Sequence, residues 1–300
     1  MENQLEMSIE GAEAPVDTRL SYSSANLLRN CEQKYVYYKV DKVEKDDDSN
    51  VDNSHFNLGT SFHLINEIGL HKKPKNVMAL LEKCVQEEGL REEDVGLLHA
   101  MLLQYWRLRE GDDFETVACE YKIEDDKVIG YVDLIEKRPN GDWVLSDLKT
   151  AATFYKTKIP ELPRDRQLCL YSSYYKEIAK EYNLDPEKFI GCRYLVTTKS
   201  KAKQKKTESY KDFVMRLVES KSVKSHDIFI KKELLDLWGA REEHLELYEK
   251  SMKLRRGEKP TRNYTYCMAY FRPCDYFSQC RGETYSEYLE NNKILVRSIE

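Results

Sequence analysis

The sequence predicts an α/β fold in which helices flank a small sheet, and three observations support this. Apolar residues recur at three- and four-residue spacings between residues 55 and 110, which is typical of helices packed on a core. Residues 114–150 change to short β-rich segments separated by the polar turns "EDD" and "PNGD". Helical periodicity returns after residue 164 and is interrupted by one strand-like segment.

Length and composition favour a folded chain without a strong overall attraction to nucleic acid. The 300 residues suit one large domain or two small ones, and 41% of them are hydrophobic against 34% charged. The net charge of -5 means that any DNA contact must come from local basic patches. Two such stretches are "TTKSKAKQKKTESYK" and "KSMKLRRGEKPTRNY", although a solvated loop is the commoner explanation of any lysine run.

The N-terminal residues 1–19 are acidic and aperiodic, which predicts a flexible segment. They lack the basic start and apolar core of a secretion signal, and no later run approaches the length of a membrane span. We therefore expect a cytoplasmic protein that does not contact a membrane. In a reducing compartment the eight cysteines are not expected to form a disulfide framework.

The elements follow from local signals. "LSYSSANLLRNCEQKYVYYKV" has serine as a helix cap before a short helical pattern, and a second helix is expected to begin near Gly59. The β-rich segments after residue 114 are expected to be adjacent antiparallel strands. The later elements are predicted as a helix in "RDRQLCLYSSYYKEIAKEYNL", a strand in "KFIGCRYLVTT" and a long helix in "FIKKELLDLWGAREEHLELYEKSMKLRRG".

Two acids and a lysine mark a candidate catalytic site. Asp147 and Lys149 lie two apart on a predicted strand, so their side chains point to the same face. Asp133 lies on the preceding strand, and the two carboxylates can converge on one divalent cation, with the Leu148 carbonyl as a further ligand. Lys149 can then orient or activate a water. The alternative is an Asp-Lys ion pair on an exposed sheet face, worth at most about 1 kcal/mol.

Two helical segments add candidates to this site. His63 follows a Gly-Thr helix start, faces the same side as Asn66, and is a candidate fourth metal ligand; the alternative is a hydrogen-bonded core histidine. Gln167 and Tyr171 lie four apart on one helix face, where they can hold a phosphate or a base edge. An aromatic residue at helical spacing is more often part of the core.

The ordered motifs "GTSFH", "GYVDLIE", "SDLKT" and "QLCLY" resemble the PD-(D/E)XK nuclease superfamily, and within it the RecB-like branch that includes AddB-type and CRISPR-adaptation nucleases. The opening "LSYSSANLLRNCEQKYVYYKV" resembles the N-terminal motif of that branch. Glu120, in "VACEYKI", matches a further family acid of less defined role. The other matching positions are His63, Asp133, Asp147, Lys149, Gln167 and Tyr171.

The resemblance implies a restriction-endonuclease-like core with a small central mixed sheet, helical additions and a C-terminal cysteine-rich segment. The implied nuclease domain spans residues 20–282, with its cysteine cluster in residues 262–282, and residues 283–300 form a C-terminal tail. It implies a Mg²⁺- or Mn²⁺-dependent exonuclease that acts on DNA ends or single strands in recombination, repair or phage replication, and that is encoded by a phage or a cell.

The chain has no phosphate-binding loop of the Walker type, so any helicase activity must come from a helicase or recombination partner. Two alternatives to an exonuclease stay open. One is a structure-specific endonuclease of the same fold, and the other is a non-catalytic DNA-binding or assembly protein.

The cysteines divide into two sets. Cys84, Cys119, Cys169 and Cys192 lie inside apolar periodic segments and are expected to be buried packing residues. One early and three late cysteines resemble the set that binds a [4Fe-4S] cluster in many RecB-like nucleases; they are Cys31, Cys267, Cys274 and Cys280. The match departs from the family pattern because Phe271 occupies the place of the first late cysteine. A zinc site or a decayed site with stray thiols is the alternative.

Overall fold

The computed structural model describes residues 17–46, 54–271 and 273–291. Most of the predicted flexible N-terminal segment and residues 292–300 of the predicted tail lie outside the described residues. Within them the predicted fold class is confirmed, because a central mixed sheet is flanked by helices. In this part of the chain no helix combines the length and the apolar character that crossing a membrane requires.

The sheet has six strands in the order β1-β3-β4-β5-β6, with β2 paired to β3 outside that path. The β2–β3, β3–β4 and β5–β6 pairs are antiparallel, whereas β1–β3 and β4–β5 are parallel. The predicted antiparallel strands after residue 114 are therefore confirmed. The strands are β1 Leu20–Ser21, β2 Glu115–Glu124, β3 Val128–Lys137, β4 Trp143–Ala151, β5 Phe189–Thr198 and β6 Ser225–Lys231.

In the sequence, helices lie before, between and after the strands of this sheet. A π-helical turn, Val36–Val40, follows α2, and a 3₁₀ segment, Lys156–Arg164, links β4 to α6. The α-helices are α1 Tyr22–Asn30, α2 Glu32–Tyr35, α3 Ser54–Ile68, α4 Val77–Glu87, α5 Val95–Arg109, α6 Arg166–Ser172, α7 Tyr175–Glu181, α8 Tyr210–Glu219, α9 Leu237–Arg255, α10 Phe277–Arg281 and α11 Tyr285–Asn291.

The predicted long helix from residue 229 was wrong at its start. Phe229 and Ile230 belong to β6, because this segment pairs with β5 and buries Ile230 against it. The helix begins only after Asp236, whose side chain accepts a hydrogen bond from the Gly239 N–H and caps α9. The predicted start near Gly59 was also late, since α3 includes Ser54.

Both faces of the sheet are buried. One face packs under α3, α4, α5 and α8 through Leu134, Leu148 and Leu195. The other face packs under α6 and α7 through Ile135 and Trp143. The two central strands are therefore buried over most of their length, β4 at its first six positions and β5 at eight of its ten.

A buried ion network holds one end of the central strands. Glu136 on β3 has no exposed surface, and its carboxylate binds Arg109 at the end of α5 (2.5 Å) and Arg193 on β5 (3.2 Å). Arg193 also binds Asp112, at 2.6 Å. Removing one member of such a network leaves a buried charge uncompensated, at a cost of about 3–5 kcal/mol. The network therefore fixes β3 and β5 beside the point where β3 and β4 separate.

Candidate active site

The candidate site lies where two strands of the sheet diverge. Pairing between β3 and β4 runs from Lys137–Trp143 to Leu134–Ser146 and stops there. The next residues are Asp133 on β3 and Asp147 on β4. Because the strands have separated, the Leu148 N–H donates to Asp133 Oδ2 at 2.6 Å instead of to a strand carbonyl. The gap thus places two carboxylates at the edge of the core.

Asp147 and Lys149 share a face of β4. Lys149 Nζ lies 2.8 Å from Asp147 Oδ1 and 3.1 Å from Gln167 Oε1 on α6. Asp147 is only 7% exposed, and its second oxygen, Oδ2, is buried without a hydrogen-bond partner among the described residues. An orphaned buried carboxylate oxygen is costly, so this atom fits a site completed by a cation.

Three side chains form a compact group beside these residues. His63 on α3 and Asp133 approach to 4.0 Å between Nδ1 and Oδ2. One ligand atom from each of His63, Glu120 and Asp133 lies within 4.8 Å of the others. Glu120, which the sequence offered only as an additional acid, therefore lies with His63 and Asp133, while Asp147 lies beside them on the neighbouring strand.

Glu120 has an unusual backbone. Its φ of 48° lies in the left-handed region, where a side chain with a Cβ is disfavoured by about 1–2 kcal/mol. In the β2–β3 register, Cys119 pairs with Leu134 and Tyr121 with Val132, so Glu120 lies between two paired positions. Such strain is common at functional sites, where the surrounding structure enforces it.

Burial and neighbouring charges set the protonation of the site. Burial raises the pKa of Asp133 and of Asp147, and Lys149 opposes both shifts. Burial lowers the pKa of Lys149, but Asp147 and Asp133 outweigh it, so the net pKa lies above the ordinary value. The lysine therefore stays charged between the acids.

The pKa values of His63 and Glu120, the other two members of the compact group, shift in opposite directions. Burial, with Lys149, lowers the pKa of His63, which keeps its ring neutral and able to bind a metal. Burial, followed by Asp133 and Glu67, raises the pKa of Glu120 to about 7. The raised pKa values of the acids indicate negative charge that a bound cation would stabilise, and the lowered pKa of His63 favours the neutral ring that binds a metal.

Glu67 is the site residue that the sequence reasoning missed. It lines the same cleft as His63 and acts on the pKa of Glu120. The available signal was its position four residues after His63, which places both on one helix face. Asn66, the predicted companion of His63, is instead fully buried, where its side chain donates to the Phe62 carbonyl and accepts from Trp106.

Gln167 and Tyr171 lie on α6 beside the lysine, as their spacing indicated. Gln167 contacts Lys149 directly, whereas the Tyr171 ring packs on Gly130 of β3. A methyl group on Gly130 would lie 2.6 Å from that ring, so only glycine leaves room for it. Tyr171 therefore fixes α6 against the strand that carries Asp133.

The four cysteines of the predicted cluster line one cavity. They reach it from the start of α2, from the 3₁₀ segment Tyr264–Phe271 and from the following turn and α10, and the Cys274 N–H donates to the Cys267 carbonyl at 2.8 Å. Within the described residues, no three of the four sulfurs lie within 4.8 Å of one another, so cluster geometry is not formed. The side chain of Phe271 lies outside what the structure describes.

The other four cysteines lie in the body of the fold. Cys84, Cys169 and Cys192 are buried, as predicted. The prediction was wrong for Cys119, which is only half-buried because it lies on β2, at the margin of the core formed with α3 and α5.

The two basic stretches occupy different places. Residues 199–206 leave the end of β5, where the Lys199 N–H donates to the Ala151 carbonyl, close to the strand end that carries Lys149. The second stretch, residues 250–264, begins in the last turns of α9 and leads away from the strand end that carries Lys149. Its Lys250 pairs with Glu32 and Glu258, and its Arg262 lines the cysteine cavity.

A splayed strand pair carrying two aspartates and a lysine, beside a histidine and a further acid, defines a nuclease class of phosphodiester hydrolase. A family model of the PD-(D/E)XK nuclease superfamily matches residues 19–281. The chain therefore belongs to the PD-(D/E)XK nuclease superfamily, whose members are generally metal-dependent nucleases. None of the curated proteins compared with the chain matches it.

Proposed function

We propose that the chain is a Mg²⁺- or Mn²⁺-dependent deoxyribonuclease of the RecB-like branch, acting as an exonuclease on DNA ends or single strands in recombination, repair or phage replication. The observation that carries the proposal is the buried, unpartnered Oδ2 of Asp147 beside the charged Lys149. A purely structural ion pair has no need for that orphaned oxygen. A divalent cation bound to that oxygen would be its missing partner.

The proposed ligands are Asp133, Asp147, the Leu148 carbonyl and His63, with Glu120 added by its position in the compact group. A divalent cation bound there would lower the pKa of a water and offset the charge of the phosphate. The carboxylates supply hard oxygen donors of the kind that Mg²⁺ and Mn²⁺ prefer.

Lys149 is the proposed group that positions the attacking water. Its ammonium is held between Asp147 and Gln167, so it has a defined direction as well as a stable charge. We assign Gln167 to the substrate strand as well, because its amide lies 3.1 Å from the Lys149 ammonium. Tyr171 supports that contact from behind by holding α6 against Gly130.

A [4Fe-4S] cluster is the proposed occupant of the cysteine cavity. A single tetrahedral zinc ion, with Zn–S bonds of about 2.3 Å, needs sulfurs within about 4 Å of one another. A cluster in which each thiolate binds a different iron instead suits four cysteines that reach one cavity from separate elements. Lys34, Arg262 and Arg281 also line the cavity and would offset thiolate charge.

The cluster would join the start of α2 to residues 267–280, so we propose that it staples the two ends of a single nuclease domain spanning residues 20–282. Residues 283–300 would then be a tail. Such thiols suit a reducing cytoplasm. Helicase activity, where needed, would come from a partner chain.

The test is digestion of 5′- and 3′-labelled single and double strands across a Mg²⁺ and Mn²⁺ titration, with Asp147→Asn as the matched control. We expect metal-dependent release of labelled products by the wild type and none by the variant. Circular and end-blocked DNA should stay intact. Cleavage of circles would make the protein an endonuclease, and inactivity on every substrate would support a non-catalytic DNA-binding role.

A further inference from the structure

A cleft opens beside Lys149 on the α6 side of the sheet, opposite the cleft that contains His63. It has a volume of about 510 Å³, within the range of about 300–1,000 Å³ usual for ligand sites. We call it the Tyr155 cleft. Its relevant lining residues are Phe154, Tyr155, Lys158, Arg164, Arg166 and Tyr194.

The inner wall of the Tyr155 cleft continues the candidate active site. Tyr194 is the register partner of Asp147 across the parallel β4–β5 pair, and Val196 is the partner of Lys149. Partners in register point to the same face of a sheet. A polymer held in this cleft therefore reaches the reacting groups without crossing a strand.

The outer wall presents aromatic rings and cations on the 3₁₀ connection between β4 and α6. Tyr155 is 62% exposed, and Phe154 packs on His226 with ring centroids 5.0 Å apart. Lys158 and Arg164 are exposed at the same rim. An exposed tyrosine beside cations is the arrangement that stacks on unpaired bases while the cations contact phosphates.

The acidic residues of the Tyr155 cleft do not cancel the positive charge of its rim. Glu161 forms an exposed pair with Lys158 at 3.1 Å, which contributes little and is easily replaced by a phosphate contact. Asp165 accepts from the Gln167 and Leu168 N–H groups and caps α6. Arg166 is held by Asp236 and Glu243, which compensate its charge, so the cations that face a phosphate are Lys158 and Arg164.

The cleft on the other side of Lys149 has the opposite character. It contains Glu67 and Glu88 beside His63, and it has a volume of about 500 Å³. These carboxylates repel a phosphate backbone, whereas the rim of the Tyr155 cleft carries Lys158 and Arg164, so a substrate strand is directed toward the Tyr155 cleft. Lys149 and Thr150 line this cleft, and the next residue of β4, Ala151, lines the Tyr155 cleft, which places the reacting phosphate between the two.

We propose that the Tyr155 cleft binds the single-stranded flank of a DNA substrate, with Tyr155 stacking on a base and Lys158 and Arg164 contacting phosphates. The inference rests on the proposed nuclease function and names the form of its substrate. Duplex DNA fits less well, because its bases are already stacked and cannot cover the exposed ring.

The test measures binding of fluorescein-labelled oligothymidine to the full chain in EDTA, which prevents cleavage. Tyr155→Ala should raise Kd at least about fivefold, and Tyr155→Trp should restore binding. Lys158→Ala combined with Arg164→Ala should reduce the slope of log K against log salt by about 1.4. Matched controls are Tyr38→Ala, which removes a ring that is 46% exposed elsewhere, and Lys83→Ala on α4.

Equal Kd values for Tyr155→Ala and Tyr38→Ala would overturn the inference, as would an equal loss of blunt duplex binding in Tyr155→Ala. Hydrolysis of bis(p-nitrophenyl) phosphate separates the two proposals, because this small diester cannot span the cleft. An unchanged rate on that diester with a raised KM on oligothymidine supports both. If Tyr155→Ala digests oligothymidine with the wild-type KM, only the cleft assignment falls. Tyr155-dependent binding by a chain that hydrolyses neither substrate removes only the nuclease function.

Discussion

The candidate active site and the cysteine cavity are built from different parts of the molecule. Asp133, Asp147 and Lys149 lie on adjacent strands in the middle of the sheet, and a helix supplies His63. The cysteines come from opposite ends of the chain, on short helices and a 3₁₀ segment, and none of the four is fully buried. The first set is positioned by the core of the sheet. The second is positioned by polar contacts between the two ends of the chain, such as Lys34 with Asp275 (3.2 Å).

The two regions nevertheless share one electrostatic feature. Burial raises the pKa of Asp133 and Asp147 in the first region and of Cys267, Cys274 and Cys280 in the second. Both therefore contain ligands whose ionised form is costly until a cation is bound. The proposed functions differ in preorganisation: the active site already has Lys149 in place and would use its metal for chemistry, whereas the cavity would use its cluster to define a geometry.

The largest expected effect is on catalysis. Lys149→Met keeps the apolar stem but removes the charge held by Asp147 and Gln167, so we expect kcat on labelled DNA to fall by about 10³-fold. The secondary structure measured by circular dichroism should be unchanged, because the core packs without the ammonium. Lys83→Met, on the exposed face of α4, is the matched control and should keep full activity. A fall of less than tenfold would refute the role of Lys149.

The next effect is on stability and belongs to the cysteine cavity. Cys31→Ser should lose the iron and its visible absorption, and the free energy of unfolding should fall by on the order of 3 kcal/mol, or roughly 6–12 °C in Tm. The kcat of the folded fraction should change little, because the cavity is separate from Asp147. Cys84→Ser, a buried thiol in the main core, should keep wild-type iron content. Equal iron in Cys31→Ser and wild type would exclude the proposed cluster.

Sequence periodicity was sufficient to predict the part of the fold that surrounds the candidate active site. The period of two on β4 placed Asp147 and Lys149 on one face, and the turn "PNGD" indicated the β3–β4 hairpin that carries Asp133. These signals are local, so they survive without knowledge of tertiary contacts.

What periodicity missed depends on tertiary contacts. The segment Ser225–Lys231 is a strand only because β5 offers an edge, and its own sequence runs directly into a helical pattern. The contribution of Glu120 depends on an irregular backbone between two strand pairs, which side-chain alternation does not encode. Glu67 joins the cleft only because α3 packs over the sheet. The sequence does not predict the geometry of the cysteines for the same reason, because Cys31 lies more than 230 residues from the three late cysteines.

A smaller expected effect is a pH dependence of cation affinity, which distinguishes the active site from the cysteine cavity. Burial, Asp133 and Glu67 raise the pKa of Glu120 to about 7, so this side chain is protonated below that value and its affinity for a cation is lost as pH falls. Mn²⁺ affinity measured by calorimetry should weaken by up to about tenfold per pH unit between pH 7 and 6. Burial lowers the pKa of His63 below its ordinary value, so its ring protonates at lower pH than Glu120. Glu120→Gln should flatten the profile, and an identical slope in that variant would contradict the assignment.

The smallest expected effect concerns the backbone of the same residue. Glu120 holds φ at 48°, and its carboxyl faces Asp133 and Glu67. Glu120→Gly relieves both the strain and the repulsion, so we expect the free energy of unfolding to rise by about 1 kcal/mol while metal affinity falls. Glu120→Gln removes only the repulsion, and the difference between the two variants in urea unfolding isolates the backbone contribution. A Gly variant less stable than the Gln variant would show that β2 does not strain this position. If the gain is observed, the scaffold of the active site holds a strained residue at a cost in stability, whereas the proposed cluster would add stability to the cysteine cavity.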